Sequence, residues 1–247
     1  MKPNYERALV IGGSRGAGKE LALSLSREGT NTTVVARGEV SLAKLKADSP
    51  DLNTMAMDAT SDGVADKLMK EIDPDLLILT VGYEPKMIPF YKQSWDEFSG
   101  AWNTDTRIAH AFSSAALTQP MKKGGIVVSF SSGAGLSGSR LSGGYAGAKR
   151  MQHFLTDYAQ KESELLDLGL TFYSIIPKQL IQGTVLGLAA AEAYSAAVGK
   201  PVAQFLNQWD EPLTANKIAN HVASLLRHTE PTENKAYVIT GTGMAAA

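Results

Sequence analysis

The chain has 247 residues, of which 44% are apolar, and its 24 basic and 25 acidic residues leave a formal charge of −1 at pH 7. This composition suits one large globular domain and excludes a disordered or collagen-like chain, and the near-zero charge predicts no nucleic-acid partner. The absence of cysteine excludes disulfides, a thiolate nucleophile and zinc bound by sulfur.

Short runs of β-branched residues alternate with helical stretches along the chain. Such alternation is typical of a parallel sheet with crossover helices on both faces, so we predict one α/β domain over residues 1–247, with a Rossmann-type doubly wound sheet. The predicted strands cover residues 8–11, 32–36, 76–80, 126–130, 171–176 and 237–240, and the predicted helices cover 16–28, 108–117 and 148–166. Ser94 and Glu97 have the spacing of a capping box, which predicts a further helix start.

Residues 178–212 interrupt the alternation. An alanine-rich stretch at 189–197 lies there between glycines and prolines, and no strand is predicted, so we interpret the segment as a helical lid over the site. Its apolar residues either line a substrate pocket or pack within the helix, and the sequence leaves both possibilities open. The polar N-terminal residues lead into a strand and no apolar run is long enough to span a membrane, so we expect a cytoplasmic protein without a membrane partner.

A glycine-rich turn follows the first strand and opens the first helix. Without side chains, Gly12, Gly16 and Gly18 would let a phosphate approach helix N–H groups that carry partial positive charge. The turn also includes Ser14, Arg15 and Ala17, which we count with the glycines as cofactor contacts.

The same stretch imitates the P-loop of nucleotide hydrolases, because residues 13–19 read G-x-x-x-x-G-K. Two features oppose that interpretation. Glu20 stands where a P-loop needs a hydroxyl for magnesium, and the strand at 76–80 ends without the aspartate that would complete the metal site.

The end of the second strand indicates which dinucleotide would bind. A fold that prefers NAD places an acid there against the ribose hydroxyls, whereas this chain has Ala36 followed by Arg37. Arg37, with Arg15, could hold a 2′-phosphate by charge-assisted hydrogen bonds. We therefore predict NADP(H) as the preferred cofactor, with NAD(H) still possible.

Tyr145 and Lys149 are four residues apart, downstream of Ser132, and on a helix this spacing would place them on one face. A neighbouring ammonium favours the phenolate, so we expect the pKa of Tyr145 to move down from about 10 toward working pH, where a general acid is most effective.

Together these residues resemble the short-chain dehydrogenase/reductase family over essentially the whole chain. The resemblance implies a catalytic set in which the tyrosine exchanges a proton with the substrate oxygen, the serine orients that oxygen, the lysine binds the nicotinamide ribose, and an asparagine holds a water of the proton relay. The corresponding residues here are Tyr145, Ser132, Lys149 and Asn103. It also implies cofactor contacts at Asp58, Ala59, Gly82, Tyr145, Lys149, Pro177 and Thr184.

The chain departs from the family pattern at three places that brace the sheet. The family's N-N-A-G reads LTVG at residues 79–82, the threonine of the glycine turn is Ile11, and the asparagine expected before the serine pair is Ser129. These departures keep open a catalytically inactive dinucleotide-binding regulatory or scaffold protein on the same fold as the alternative function.

Our main prediction is an oxidoreductase: an NADPH-dependent carbonyl reductase or alcohol dehydrogenase acting on a small ketone or secondary alcohol. The resemblance also implies a homodimer or homotetramer. The four histidines, His110, His153, His221 and His228, have no ligand spacing among themselves, so we interpret them as helix residues and predict no metal site.

Overall fold

A computed structural model describes residues 5–119, 121–227 and 235–247 of the chain. Its strands are β1 (Arg7–Ile11), β2 (Asn31–Ala36), β3 (Asn53–Ala56), β4 (Leu76–Leu79), β5 (Ile126–Phe130), β6 (Thr171–Pro177), β7 (Ile181–Gln182), β8 (Leu213–Thr214), β9 (Ala236–Thr240) and β10 (Gly243–Ala246). Its α-helices are α1 (Gly16–Arg27), α2 (Glu39–Asp48), α3 (Val64–Ile72), α4 (Trp95–Ala101), α5 (Arg107–Thr118), α6 (Ala134–Ser137), α7 (Tyr145–Leu165), α8 (Val185–Ala197), α9 (Val202–Leu206) and α10 (Ala215–Leu226). A 3₁₀ turn covers Phe90–Lys92, and a π-helical turn, Trp102–Thr106, joins α4 to α5.

Eight of the strands described form one sheet in the order β10-β9-β6-β5-β4-β1-β2-β3. All neighbouring pairs are parallel except the last hairpin, in which β10 runs antiparallel to β9. The strand order reverses between β1 and β4, which is the point where open α/β sheets form their binding crevice. The predicted doubly wound fold is therefore confirmed.

Alternate residues of the buried strands face two separate hydrophobic clusters, one on each side of the sheet. On one side Val10 and Ile78 pack with residues of α1, α2 and α10. On the other side Leu9 and Leu77 pack with residues of α3, α5 and α7. Because both faces are covered, strands such as β4, whose four residues are all buried, read as continuous apolar runs.

Several local predictions are confirmed and others need correction. The capping box at Ser94 and Glu97 forms and starts α4, but α7 begins at Tyr145 and not at residue 148. β3 and β10 are not among the predicted strands, because these short edge strands are half exposed and lack a β-branched run. Of the histidines, His110, His153 and His221 lie in α5, α7 and α10, and His228 lies outside the described residues.

The segment 178–212 contains the predicted helix as α8, and the shorter α9 follows it. Contrary to the prediction, it also contains a strand. β7 pairs in parallel with β8, so that Ile181 lies opposite Leu213 at the two ends of the segment. The β7–β8 pairing brings the two ends of the 178–212 segment together and holds α8 beside the carboxyl ends of the sheet strands. Whether the segment acts as a lid stays a prediction.

Candidate active site

A cleft of about 660 Å³ opens at the carboxyl ends of the central strands. The glycine turn after β1 lines one part of it, the ends of β4 and β5 line another, and Leu186 of α8 lines the far side. Every residue predicted to contact the cofactor lies on its wall: Gly12, Ser14, Arg15, Gly16, Ala17, Gly18, Arg37, Asp58, Ala59, Gly82, Tyr145, Lys149, Pro177 and Thr184. Their contacts with a dinucleotide remain a prediction.

The glycine turn has the geometry that a bound phosphate needs. Gly12 has φ +88° and its backbone packs against Val81, while a Cβ on Gly18 would collide with the hydroxyl of Thr80. At the start of α1 no side chain caps the helix and the first turn contains no acid, so its N–H groups are available to an anion. The residues present therefore fit the pyrophosphate of a dinucleotide.

The P-loop alternative loses its support in the structure. Lys19, which a P-loop would direct at the phosphates, is not among the residues lining the cleft. Thr80 replaces the missing aspartate at the end of β4, and its hydroxyl is occupied by donating to the carbonyl of Ile11 at 3.0 Å.

The two arginines predicted to hold a 2′-phosphate have different surroundings. Arg15 forms an exposed ion pair with Glu84 across the cleft. Arg37 is exposed just beyond β2 and makes no hydrogen bond or ion pair with the described part of the chain. Hydrogen bonds from Thr60, with smaller effects of Arg37 and Arg107, lower the pKa of nearby Asp58 below its ordinary value.

Tyr145 and Lys149 lie on one turn of α7 at the inner end of the cleft. The ammonium of Lys149 is 5.5 Å from the centre of the Tyr145 ring, and both residues are buried. Ser131 and Ser132 follow β5; the Ser131 hydroxyl donates to the Lys149 carbonyl at 2.7 Å, and the Ser132 hydroxyl accepts from the Ala134 N–H at 3.2 Å.

The expected fall in the pKa of Tyr145 is not what the structure indicates. Burial raises this pKa above its ordinary value, the charge of Lys149 and a hydrogen bond with Ser132 lower it, and the charge of Asp105 raises it. Desolvation exceeds the effect of the ammonium, because removing a phenolate from water is costly. The surroundings of Tyr145 therefore favour its protonated form.

The structure brings three of the four predicted catalytic residues together, and Asn103 is not among them. The side chain of Asn103 is exposed in the π-helical turn, where its Nδ2 is 3.4 Å from the Ser99 hydroxyl. A π-helical turn is wider than an α-helical one and changes which residues face inward. Asp105, two residues later, is the residue that faces Lys149, with an Oδ2 to Nζ distance of 3.0 Å.

Sequence reasoning missed two acidic residues at this site, Asp105 and Glu84. A signal existed for Asp105, because it is three residues before Ile108 and seven before Phe112, in line with the buried face of the α5 helix that follows. A charged residue in an apolar stripe is costly unless it is paired. Nothing in the sequence around Glu84 indicates its contact with Arg15, which is 69 residues away.

Two other structural findings concern the described residues. None of their helices is both long and apolar enough to cross a membrane. They also contain no group of three or more histidine or acidic side chains arranged to hold a metal ion.

Several curated relatives are named 3-oxoacyl reductases. A very-long-chain 3-oxoacyl-CoA reductase of Pyrenophora tritici-repentis is 30% identical over 166 residues, which are 60% of this chain and 47% of that protein. This chain therefore spans about half the length of the 3-oxoacyl-CoA reductases it matches. A 3-oxoacyl-(acyl-carrier-protein) reductase of Staphylococcus aureus is 25% identical over 249 residues, covering 95% of this chain and 93% of that protein.

Solved structures share the fold. An actinorhodin polyketide ketoreductase with NADPH superposes with a TM-score of 0.81 at 20% identity, covering 97% of both chains. An NAD⁺-bound xylitol dehydrogenase superposes with a TM-score of 0.81 at 22% identity, covering 96% of this chain and 98% of the other. At such identities the likeness shows the fold alone. The sequence pattern typical of short chain dehydrogenases matches residues 6–179, from the first strand to just beyond β6, and the chain therefore belongs to the short chain dehydrogenase family.

Proposed function

We propose that this protein is an NADPH-dependent carbonyl reductase, able to act in reverse as an alcohol dehydrogenase, on a ketone or secondary alcohol. The main observation is that Tyr145 and Lys149 line a cleft whose glycine turn has the shape and free N–H groups for a dinucleotide, and that Ser132 forms a hydrogen bond with Tyr145. The bound nicotinamide would supply the hydride. The chain's own task is then to place the carbonyl and move one proton.

In this proposal Tyr145 donates its phenolic proton to the carbonyl oxygen. The Ser132 hydroxyl orients that oxygen by a hydrogen bond. Lys149 stabilises the tyrosinate that remains, since its ammonium is already held 5.5 Å from the ring centre and needs no rearrangement. Burial of Tyr145 favours the protonated phenol before reaction, which suits the direction of carbonyl reduction.

The preference for NADPH rests on Arg37. It stands at the end of β2 without a hydrogen-bond partner among the described residues, and Ala36 provides no carboxylate to hold ribose hydroxyls or repel a phosphate. The pairing of Arg15 with Glu84 makes Arg37 the main candidate for the 2′-phosphate.

The relatives suggest which substrates to test first. Those compared here are named as 3-oxoacyl reductases acting on CoA or acyl-carrier-protein esters, so we propose a 3-oxoacyl thioester as the first substrate class. Ile181, Val185 and Leu186 of the 178–212 segment line the cleft and would contact an acyl chain.

The test is NADPH oxidation by the purified protein with 3-oxoacyl thioesters, simple ketones and diketones, run beside NADH and a no-substrate control. Substrate-dependent oxidation with any of these carbonyls supports the proposal. If NADPH binds but no carbonyl accelerates its oxidation, the regulatory or scaffold alternative is favoured. We further propose a homodimer or homotetramer in the cytoplasm, which light scattering and cell fractionation would test.

A further inference from the structure

Asp105 is a fully buried carboxylate that links three parts of the candidate site. Its Oδ1 accepts a hydrogen bond of 2.7 Å from the Tyr83 N–H, in the loop after β4. Its Oδ2 forms an ion pair of 3.0 Å with Lys149 of α7, and both side chains are almost inaccessible, at 0% and 4% exposure. Its backbone carbonyl accepts from Gln152, one turn further along α7.

The contacts of Lys149 show how strongly its head group is held. Besides the ion pair with Asp105, its ammonium donates to the carbonyls of Phe130 at 3.2 Å and Val81 at 3.4 Å. Two of the three N–H donors of this ammonium are therefore used by backbone carbonyls. Asp105 is the only charged partner of the three, and it is also the closest.

Three side chains act on the Tyr145 phenol, and two of them are charged. Among the described residues, Asp105 from the π-helical turn and Lys149 from α7 are the charged side chains that act on Tyr145, while Ser132 after β5 contributes a hydrogen bond. Burial lowers the pKa of Lys149, but Asp105 and Tyr145 raise it to above its ordinary value. The carboxylate therefore keeps Lys149 charged and at the same time opposes its effect on the phenol.

We propose that Asp105 is a positioning residue that holds the Lys149 ammonium against the backbone ends of β4 and β5 and offsets its charge, so that Tyr145 stays protonated and the site is set for carbonyl reduction. The catalytic consequence of this inference rests on the proposed function. The contact between Asp105 and Lys149 does not depend on that function.

The charges determine the direction in which replacing Asp105 would shift the pKa of Tyr145. Reduction needs the protonated phenol, so its rate persists below the pKa of Tyr145 and declines as the pH rises through it. Replacing Asp105 by an isosteric neutral residue removes a negative charge, which favours tyrosinate and lowers that pKa. Loss of the carboxylate also favours neutral Lys149, so the lysine would titrate at lower pH as well.

The first experiment compares the pH profile of kcat/KM for carbonyl reduction in the parent protein and in Asp105→Asn. We expect the alkaline decline of the variant to begin at a lower pH. The matched control is Asp62→Asn, which removes the same charge from an exposed ion pair with Arg107 and should leave the profile unchanged. A uniform loss of rate at every pH, with an unshifted decline, would mean a merely structural role and would overturn the proposal.

A second readout needs no turnover. Tyrosinate absorbance is titrated in the parent and in Asp105→Asn, each against its Tyr145→Phe derivative, so that the difference isolates one phenol. We expect Tyr145 to ionise at lower pH in Asp105→Asn, and identical difference curves would count against the proposal.

If Asp105→Asn proves too unstable for these measurements, a double-mutant cycle with Lys149→Met decides. Each single change leaves a buried charge without its partner, whereas the double change removes both, so we expect the double variant to be more stable than the sum of the single losses predicts. Additive losses would show that the two residues act independently and would overturn the proposal. A parent protein that reduces no carbonyl would refute the proposed function. The tyrosinate titration and the double-mutant cycle would still test the role of Asp105.

Discussion

At the scale of single residues, the site depends on how burial and charge act on one phenol. Tyr145 is the first residue of α7, where it packs with Ala101 and Ala148 and is removed from water. Desolvation of this kind raises a phenol's pKa, and only the nearby ammonium and a serine hydrogen bond oppose it. A phenol in these surroundings keeps its proton at neutral pH, which the proposed role of Tyr145 as proton donor requires.

The first prediction concerns this proton. Because Tyr145 is the acid beside Ser132 and Lys149, Tyr145→Phe should lower kcat by about 10²- to 10⁴-fold, while NADPH still binds. The measurement is steady-state reduction together with a cofactor titration by fluorescence. The matched control is Tyr158→Phe, the same change at an exposed position of the same helix, which should keep the parental rate. Full turnover in Tyr145→Phe would remove the tyrosine from the mechanism.

The second prediction concerns Arg37 and the cofactor. A charge-assisted hydrogen bond contributes roughly 1.5–3 kcal/mol, which corresponds to about a ten- to hundredfold preference for NADPH over NADH in kcat/KM. Arg37→Ala should reduce this preference mainly by weakening NADPH, and Ala36→Asp should reverse it, because the carboxylate would accept from ribose hydroxyls and repel the phosphate.

Steady-state constants with each cofactor check this prediction, with Arg27→Ala as the control. Arg27 is an exposed arginine in the last turn of α1, and its Nε donates to the Leu23 carbonyl within the same helix, away from the cleft. If the parent protein used NADPH and NADH equally well, Arg37 would not be a residue that binds the 2′-phosphate.

At the scale of secondary-structure elements, α8 joins the cleft to the loop that precedes Tyr145. Leu186 packs against the small cluster around Tyr145. The hydroxyl of Tyr194 is 2.6 Å from the Ser139 hydroxyl and accepts from the Leu141 N–H at 3.1 Å. One end of α8 therefore contacts the part of the cleft around Tyr145, and the other end contacts the loop that leads into α7.

The third prediction is that the segment 178–212 orders over bound cofactor and substrate. Hydrogen exchange of α8 and α9 should slow when NADPH and a carbonyl ligand are added, because local opening would then break contacts with the ligand. Exchange in α10, which packs against α1 and does not line the cleft, serves as the internal control. Equal protection of α8 with and without ligands would show that the segment is static and is not a lid.

At the scale of the whole molecule, both faces of the sheet are covered, yet α7 keeps exposed aromatic residues. Phe154 and Tyr158 stack with their ring centres 6.3 Å apart and are 37% and 52% exposed. The Arg150 guanidinium lies 4.7 Å from the centre of the Phe154 ring. An apolar patch of this kind on a helix is typical of a surface that contacts another protein.

The fourth prediction is that a homodimer or homotetramer forms through this face. Changing Phe154 and Tyr158 together to Glu would bury charges in the interface and should shift the protein to a smaller species in light scattering. The control is Val40→Glu, at an apolar residue of α2 that is 86% exposed on another helix. An unchanged mass in the double variant would exclude this face, and a monomeric parent would refute the oligomer itself.

Local spacing in the sequence was sufficient to predict much of the molecule. The alternation of β-branched runs and amphipathic helices predicts a parallel sheet, because a parallel connection requires a crossover element. The glycines at 12, 16 and 18 indicate an open helix N-terminus, and the four-residue spacing of Tyr145 and Lys149 places them on one helix face. Each of these three features depends on residues that are close together in the sequence. Backbone geometry alone determines how such residues lie relative to one another in space.

Only the tertiary structure decided the features that depend on distant partners. The edge strands β3 and β10 are strands because a neighbour supplies their hydrogen bonds, and Glu84 contacts Arg15 only after the β4 loop folds across the cleft. The π-helical turn exposes Asn103 and directs Asp105 to Lys149. Burial, which depends on the whole fold, reversed the expected shift in the pKa of Tyr145. Sequence spacing determines which side chains share a face, whereas packing determines which of them lose water and which charges they meet.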